Sequence, residues 1–304
     1  MSTSTFRFTD PDGFQIFTYK WAPESGQPKA AVQIVHGMAE HALRYERFAR
    51  FLNQAGYVVY ADDHRGHGKT AGDVSKAGIG GMDSWEGMVK DEKQLTDLIK
   101  QENPGLPLFL FGHSMGSFIG QRYIQRWGGE LKGVVLSGTT GLAIFPPEAL
   151  PAMEQAAAGD LRDQYPQGPG IFAVMNAAFE PVKTPFDWLS RDEAEVQMYI
   201  DDPWCGFAFS NGMMLDMARG VGDMLNPDSQ ARIPKDLPVL MIAGDMDPVG
   251  AYNGVRSLEQ RYTSLGIQDV QVILYPQSRH EVLNETNRDQ VQQDVLDWFE
   301  AHLK

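Results

Sequence analysis

The stretch Phe109-Leu110-Phe111-Gly112-His113-Ser114-Met115-Gly116-Ser117-Phe118 decides the fold of this chain. An apolar run over 106–111 leads into Gly-His-Ser-Met-Gly, after which apolar residues recur at the spacing of a helix. The pattern predicts a strand, a sharp turn and a helix. Glycines on both sides of Ser114 would allow a strained turn that lifts the serine hydroxyl above a sheet. The helix would begin at the serine, so its free N–H groups and positive dipole end would face any negative charge that forms there.

Two interpretations of Ser114 are open at this point. Gly-x-Ser-x-Gly occurs by chance, and an ordinary strand-to-helix turn with a surface serine has the same letters. The alternative is a serine nucleophile. The buried strand before the turn and the amphipathic helix after it favour this alternative.

Composition limits the class of protein. The chain has 304 residues, of which 42% are hydrophobic and 22% charged, as is typical of a globular protein with a large core. A formal net charge of −14 repels phosphate backbones, so we expect no nucleic-acid partner. The single cysteine, Cys205, excludes an intrachain disulfide. With neither a signal-peptide pattern nor eighteen consecutive apolar residues, the sequence predicts a soluble, cytoplasmic protein without a transmembrane segment.

Strand and helix patterns alternate along most of the chain. A turn at Asp10-Pro11-Asp12-Gly13 separates two alternating runs and predicts an N-terminal antiparallel hairpin. The alternation that follows predicts a mostly parallel, doubly wound α/β sheet. It is interrupted between Thr139 and Ile233, where amphipathic stretches and prolines indicate a helical insertion. The methionines of this insertion are expected either to line an apolar pocket or to fill a small core.

A serine nucleophile needs a base and a group that orients the base. Reactive residues of a doubly wound sheet lie beyond the carboxyl ends of its strands. Of the seven histidines, His280 lies just after the predicted strand 270–275 and before the last helix. The acid should follow the preceding strand, where Asp245 and Asp247 are both candidates.

Five stretches carry a resemblance to a known family, and they occur in the family's order: 36–41, 63–68, 112–116, 244–247 and 279–281. The chain resembles the α/β-hydrolase family of serine hydrolases that contains monoacylglycerol lipases and lysophospholipase-like esterases. The resemblance covers essentially the whole chain and implies the α/β-hydrolase fold. It implies that Ser114 is the nucleophile, that Asp247 rather than Asp245 is the acid, and that His280 is the base.

The same resemblance implies an oxyanion hole and a cap. The backbone N–H groups of Met38 and Met115 would stabilise the negative oxygen of the tetrahedral intermediate. Ala39 stands where the family often has glycine, and we expect Glu40 to order this loop. Residues 140–232 would form a helical cap, with the hydrolase core at 1–139 and 233–304.

The expected function is hydrolysis of carboxylic esters with apolar acyl chains, of monoacylglycerol or lysophospholipid type, through an acyl-enzyme. A thioesterase, a peptidase or an acyltransferase would use the same three residues, and a non-enzymatic receptor for a small apolar ligand is a further alternative. We expect no cofactor and no metal, although Asp62, Asp63, His64 and His67 lie close in sequence. The predicted partner is a small acyl ester, with transient contact to lipid surfaces through the cap. Candidate walls of the acyl pocket are Phe145, Phe172, Phe179 and Phe207.

Overall fold

A computed structural model describes residues 2–146, 148–166 and 174–303. In this part of the chain, eight strands form one sheet in the order β1-β2-β4-β3-β5-β6-β7-β8. β1 pairs with β2 and β2 with β4 in the antiparallel sense, and all other pairs are parallel. The strands are β1 Ser2–Thr9, β2 Gln15–Ala22, β3 Ala30–Val35, β4 Tyr57–Asp63, β5 Leu108–His113, β6 Gly133–Ser137, β7 Val239–Gly244 and β8 Val270–Tyr275. The predicted hairpin and the predicted α/β-hydrolase fold are confirmed.

Helices cover both faces of the sheet. They are α1 Glu46–Gln54, α2 Gly68–Ala71, α3 Ser84–Glu102, α4 Met115–Trp127, α5 Ala149–Ala157, α6 Glu193–Asp201, α7 Asn211–Met224, α8 Pro227–Gln230, α9 Ala251–Ser264 and α10 Arg288–His302. Short 3₁₀ helices span Ala42–Tyr45, Val74–Lys76, Gly128–Glu130, Asp187–Leu189 and Val282–Asn284. None of the helices in the described ranges is long and apolar enough to cross a membrane.

The central strand β5 shows why the sheet is covered on both sides. Successive side chains of a strand point to opposite faces. Leu108 and Leu110 accordingly join the cluster that includes residues of α3, α4, α7 and α9, whereas Phe109 and Phe111 join the cluster formed with α1 and α10. Every residue of β5 is buried. This double burial explains the continuous apolar run in the sequence.

The insertion between β6 and β7 is helical in its described part, where the only bridge outside the named strands pairs Gln164 with Ser210. Its helix α7 packs into the main core, and Met213, Met214 and Met224 are buried there. Asp216 of α7 accepts hydrogen bonds from the backbone N–H and hydroxyl of Ser84, at 2.8 and 3.0 Å. The interpretation that these methionines fill a small separate core is therefore wrong for α7. The boundaries of a cap at 140 and 232 stay a prediction.

Two glycines of α7 allow the packing of this helix to be tested. A Cβ atom at Gly220 would overlap the indole ring of Trp85, whereas one at exposed Gly222 meets nothing within 4 Å. We expect Gly220→Ala to lower the free energy of unfolding by roughly 1–3 kcal/mol, because the core is overpacked. Gly222→Ala should be neutral or raise that free energy by up to about 1 kcal/mol, since alanine favours a helix. Urea unfolding of both variants measures the difference. Equal stabilities would contradict the observed packing of α7.

Candidate active site

Ser114 occupies a strained turn between β5 and α4. Its backbone has φ +52° and ψ −122°, a conformation that costs a serine about 1–3 kcal/mol. The turn is held by a hydrogen bond from the Ser114 N–H to the Ser137 carbonyl, at 2.9 Å, and by one from the Ser117 hydroxyl to the Ser114 carbonyl, at 2.6 Å. Ser114 is half-buried and lines a large, mostly apolar cavity.

The glycines on either side of the serine are needed for close packing. A Cβ atom at Gly116 would overlap the carbonyl oxygen of Val35 at the end of β3. A Cβ atom at Gly112 would overlap the carbonyl group of Gly116. α4 therefore begins in direct contact with β3, and its N-terminus lies at the serine.

His280 and Asp247 lie together beyond the ends of β8 and β7. His280 Nδ1 is 2.9 Å from Asp247 Oδ1, and both side chains are almost completely buried. Asp247 Oδ1 also accepts the backbone N–H of Val249, at 2.9 Å. Asp245 is exposed and instead accepts the backbone N–H of Gln277, at 2.6 Å. The structure thus brings Asp247, and not Asp245, to the imidazole ring.

The insertion contacts the His280 loop directly. The indole ring of Trp188 lies 4.9 Å from the imidazole ring of His280, centroid to centroid. The backbone N–H groups of His280 and Glu281 donate to the carbonyls of Trp188 and Leu189, at 3.3 and 2.8 Å. Within the described residues, the buried His280 Nε2 makes no hydrogen bond, and His280 lines the same cavity as Ser114.

Burial and charge act on His280 in opposite directions. Burial lowers the pKa of its imidazole, but the nearby carboxylates of Asp247, Glu281 and Glu40 outweigh burial, and the pKa is raised above 6.5. The neighbouring His113 differs, because burial and the proximity of His280 lower its pKa to about 4. At neutral pH the His113 ring is therefore uncharged.

The loop after β3 carries the predicted oxyanion-hole residue Met38, which lines the cavity together with Met115. Glu40 orders this loop, as expected, because its Oε1 accepts the backbone N–H of Gly37 at 2.5 Å. Its Oε2 lies 2.5 Å from Arg44 Nη1. Arg44 also binds both carboxylate oxygens of Glu281, each at 2.7 Å. A chain of charged groups therefore links the Met38 loop to the residue that follows His280.

Ala39, in the same loop, has a left-handed backbone with φ +54° and is fully buried. Its carbonyl accepts hydrogen bonds from the Tyr199 hydroxyl, at 2.8 Å, and from the backbone N–H of Gly206, at 2.9 Å. Both donors belong to the insertion. The sequence contains no signal for these contacts, because Tyr199 lies 160 residues further along the chain.

The cavity above Ser114 measures about 690 Å³. Most of its wall is apolar, and three insertion methionines contribute to it: Met153, Met175 and Met217. Of the predicted wall residues, Phe145 lines the cavity and Phe172 lies outside the described residues. Phe179 and Phe207 are not in the wall, and both pack against the cluster of Trp188, Leu189 and Tyr199.

Among the described residues, two groups of side chains have the composition of a metal site. Asp62, His64 and Glu92 are buried together, with His64 Nδ1 at 3.5 Å from Asp62 Oδ2 and 3.4 Å from Glu92 Oε1. Burial and the Asp62 carboxylate raise the pKa of Glu92 well above its usual value, which favours a proton held between the two carboxyl groups. His41, Asp202 and Cys205 form the second group. The expectation that neither a metal nor a cofactor binds stays a prediction.

The loop 63–68 has a structural role. Asp63 accepts the backbone N–H groups of Ala42 and Lys69, at 3.0 and 2.7 Å. The Ala39 N–H donates to Nε2 of His67, at 3.3 Å. These bonds hold the end of β4 against the Met38 loop.

The sheet, the strained serine and the histidine–aspartate pair define an α/β-hydrolase. Residues 26–287 match the family described as serine aminopeptidase, S33, and the chain belongs to this family. It is 31% identical to a monoacylglycerol lipase of Mycolicibacterium smegmatis over 99% of this chain and 98% of that protein. Human monoglyceride lipase is 32% identical over 79% of this chain and 74% of the relative.

A solved structure agrees with these relatives. A thermostable carboxyl esterase from Bacillus coagulans, in complex with glycerol, superimposes with a TM-score of 0.92 at 31% identity, and the match covers the whole of both chains. The predicted resemblance to monoacylglycerol lipases is confirmed, and the protein is a carboxylic ester hydrolase.

The His280–Asp247 pair allows a test by NMR. We expect the imidazole of His280 to titrate above pH 6.5, because the carboxylates around it stabilise the imidazolium. In Asp247→Asn the nearest carboxylate is lost while burial remains, so the pKa of His280 should fall. Asp245→Asn is the matched control and should leave the titration unchanged. The measurement is the pH dependence of the ring signals in histidine-labelled protein, and an equal effect of both variants would contradict the pairing.

Proposed function

We propose that the protein hydrolyses esters of apolar acyl chains through an acyl-enzyme on Ser114. His280 Nε2 accepts the Ser114 proton while Ser114 Oγ attacks the ester carbonyl. Asp247 holds the ring through Nδ1 and stabilises the imidazolium that forms. His280 then protonates the leaving alcohol, and a water molecule, activated by the same ring, cleaves the acyl-enzyme.

The backbone N–H groups of Met38 and Met115 are the proposed oxyanion hole. Preorganised donors of this kind stabilise the tetrahedral intermediate, and the loss of one costs roughly 10²–10³ in kcat elsewhere. The N-terminus of α4 adds its positive dipole end at the same place. We assign the insertion, over 140–232, as the cap that encloses the acyl chain.

The observation that carries the substrate class is the cavity. A volume of about 690 Å³ falls within the range of about 300–1,000 Å³ typical of small-ligand sites, and an apolar wall suits an acyl chain. Val174 lines the cavity and is 73% exposed, which supports brief contact of an apolar rim with a lipid surface.

The polar side of the cavity favours an uncharged leaving group. Glu40 and Glu281 line it, and the two carboxylates share a single guanidinium, that of Arg44. The pKa of Glu281 is lowered to about 2, opposing the effect of burial, chiefly by the charge of Arg44. Glu40, Glu281 and Arg44 together therefore carry a net negative charge, which disfavours binding of a phosphate group on this side of the cavity. We infer that monoacylglycerols are preferred to lysophospholipids.

The nucleophile is tested with Ser114→Ala. Loss of the attacking oxygen should lower kcat/KM on p-nitrophenyl esters by roughly 10³-fold or more. Ser264→Ala, at an exposed serine near the end of α9, is the control and should retain activity. Retained turnover in Ser114→Ala would refute the assignment. A single burst of p-nitrophenol without steady turnover in the unmodified protein would favour the receptor alternative.

The acyl chain is tested with monoacylglycerols from acetyl to oleoyl. We expect kcat/KM to rise with length by up to about fourfold per methylene until the cavity is filled, since each buried CH₂ contributes about 0.8 kcal/mol. Ala149 of α5 lines the cavity, whereas Ala152 of the same helix is exposed. Ala149→Trp should lower kcat/KM for oleoyl esters roughly tenfold or more and spare acetyl esters. Ala152→Trp should change neither.

Three competing substrates complete that series. Lysophosphatidylcholine should be hydrolysed more slowly than the monoacylglycerol of the same chain length. Acyl thioesters and aminoacyl p-nitroanilides test the thioesterase and peptidase alternatives. Faster turnover of either than of every ester would overturn the proposed substrate class.

A further inference from the structure

Two donors from the insertion converge on a single carbonyl of the Met38 loop. The Tyr199 hydroxyl on α6 and the backbone N–H of Gly206 donate to the Ala39 oxygen, at 2.8 and 2.9 Å. The Gly206 N–H also reaches the Tyr199 oxygen, at 3.1 Å. The Tyr199 hydroxyl, the Gly206 N–H and the Ala39 oxygen therefore contact one another pairwise. Ala39 itself is buried.

The carbonyl they hold belongs to a residue in an unfavourable conformation. The left-handed region is unfavourable for a residue with a Cβ atom, so Ala39 would gain by relaxing. The two hydrogen bonds oppose that relaxation. They also replace the water that a buried carbonyl has lost.

The loop is held on both sides of Met38. On the N-terminal side, Glu40 accepts the Gly37 N–H. On the C-terminal side, the insertion holds the Ala39 carbonyl. The Met38 N–H belongs to the peptide group between Gly37 and Met38, whose oxygen lies 2.8 Å from His36 Nδ1, and the Ala39 N–H donates to His67 Nε2 at 3.3 Å. A change in the backbone angles of Ala39 would shift this loop and with it the Met38 N–H. The direction of this donor therefore depends on Tyr199 as well as on His36, Glu40 and His67.

The Tyr199 ring is itself fixed. Its side chain is 4% exposed, the guanidinium of Arg44 lies 4.8 Å from the ring centroid, and the Phe186 ring lies 4.9 Å from it. Burial raises the pKa of the phenol well above 10, so the hydroxyl keeps its proton and acts as a donor.

We propose that Tyr199 is a positioning residue: through its hydroxyl, the insertion holds Ala39 in the left-handed conformation and so directs the Met38 N–H toward the oxyanion. This inference rests on the proposed function, because it presumes attack by Ser114 on an ester carbonyl. It gives the insertion a role in the chemical step in addition to enclosing the acyl chain.

The test compares Tyr199→Phe with Tyr123→Phe. Tyr123 is buried outside the cavity wall, and its hydroxyl donates to Thr96 Oγ1 at 2.9 Å, so both variants lose one buried hydroxyl. We expect Tyr199→Phe to lower kcat roughly 10- to 100-fold with little change in KM, less than the effect of removing an oxyanion donor. Tyr123→Phe should leave kcat within about twofold while lowering the melting temperature similarly.

A second measurement separates positioning from substrate contact. An alkyl boronic acid forms a tetrahedral adduct with an active serine and imitates the intermediate, so its affinity should fall in Tyr199→Phe by the same factor as kcat/KM. Unchanged kcat and unchanged affinity would overturn the inference. A rise in KM alone would also overturn it, because Tyr199 would then bind the substrate.

The variants distinguish an error in the role of Tyr199 from an error in the proposed function. If Ser114 is not the nucleophile, Ser114→Ala retains turnover. If only the role of Tyr199 is wrong, Ser114→Ala is inactive and Tyr199→Phe behaves like Tyr123→Phe.

Discussion

The close approach of α4 to β3 is the constraint on which the rest of this structure depends. A side chain at Gly116 would overlap the carbonyl of Val35, so the helix can begin at the sheet only because that side chain is absent. Ser114, at the start of this helix, has the strained backbone and lines the cavity. The strained backbone of Ser114 is unfavourable by itself. It persists because the buried parallel strands on either side hold it in place, as folded domains do at functional sites.

The remaining parts of the site are attached to this turn by different kinds of interaction. Asp247 and His280 come from the ends of neighbouring strands, so the sheet itself brings them together. The Met38 loop depends on charged groups, since Glu40, Arg44 and Glu281 connect it to the histidine. The insertion adds the Trp188 ring against His280. The insertion is therefore in direct contact with the loop of His280, and a movement of the segment around Trp188 would displace the proposed base.

Much of the architecture could be predicted from local patterns. The apolar run before Gly112 predicts a strand buried on both faces, and β5 is buried throughout. The spacing of His280 after its strand suffices to place it at the carboxyl edge. Local patterns could not decide between Asp245 and Asp247 as the partner of His280, because both aspartates follow β7 within four residues. Only the direction in which each side chain leaves the turn separates them, and that direction depends on the contacts of Gln277 and Val249.

The sequence by itself determined the alternation of strands and helices and the Gly-x-Ser-x-Gly turn, because these follow from hydrophobic periodicity and from residues that lie close together in the chain. It also determined that Ser114, Asp247 and His280 each follow a strand, in that order along the chain. The tertiary structure decided which residues support them. α7 belongs to the main core, Phe179 and Phe207 pack outside the cavity wall, and Tyr199 reaches the Ala39 carbonyl. The physical reason is clearest for α7 and Tyr199: the contacts of Asp216 with Ser84 and of Tyr199 with Ala39 join residues more than a hundred positions apart. No periodicity within either segment records where the other will lie.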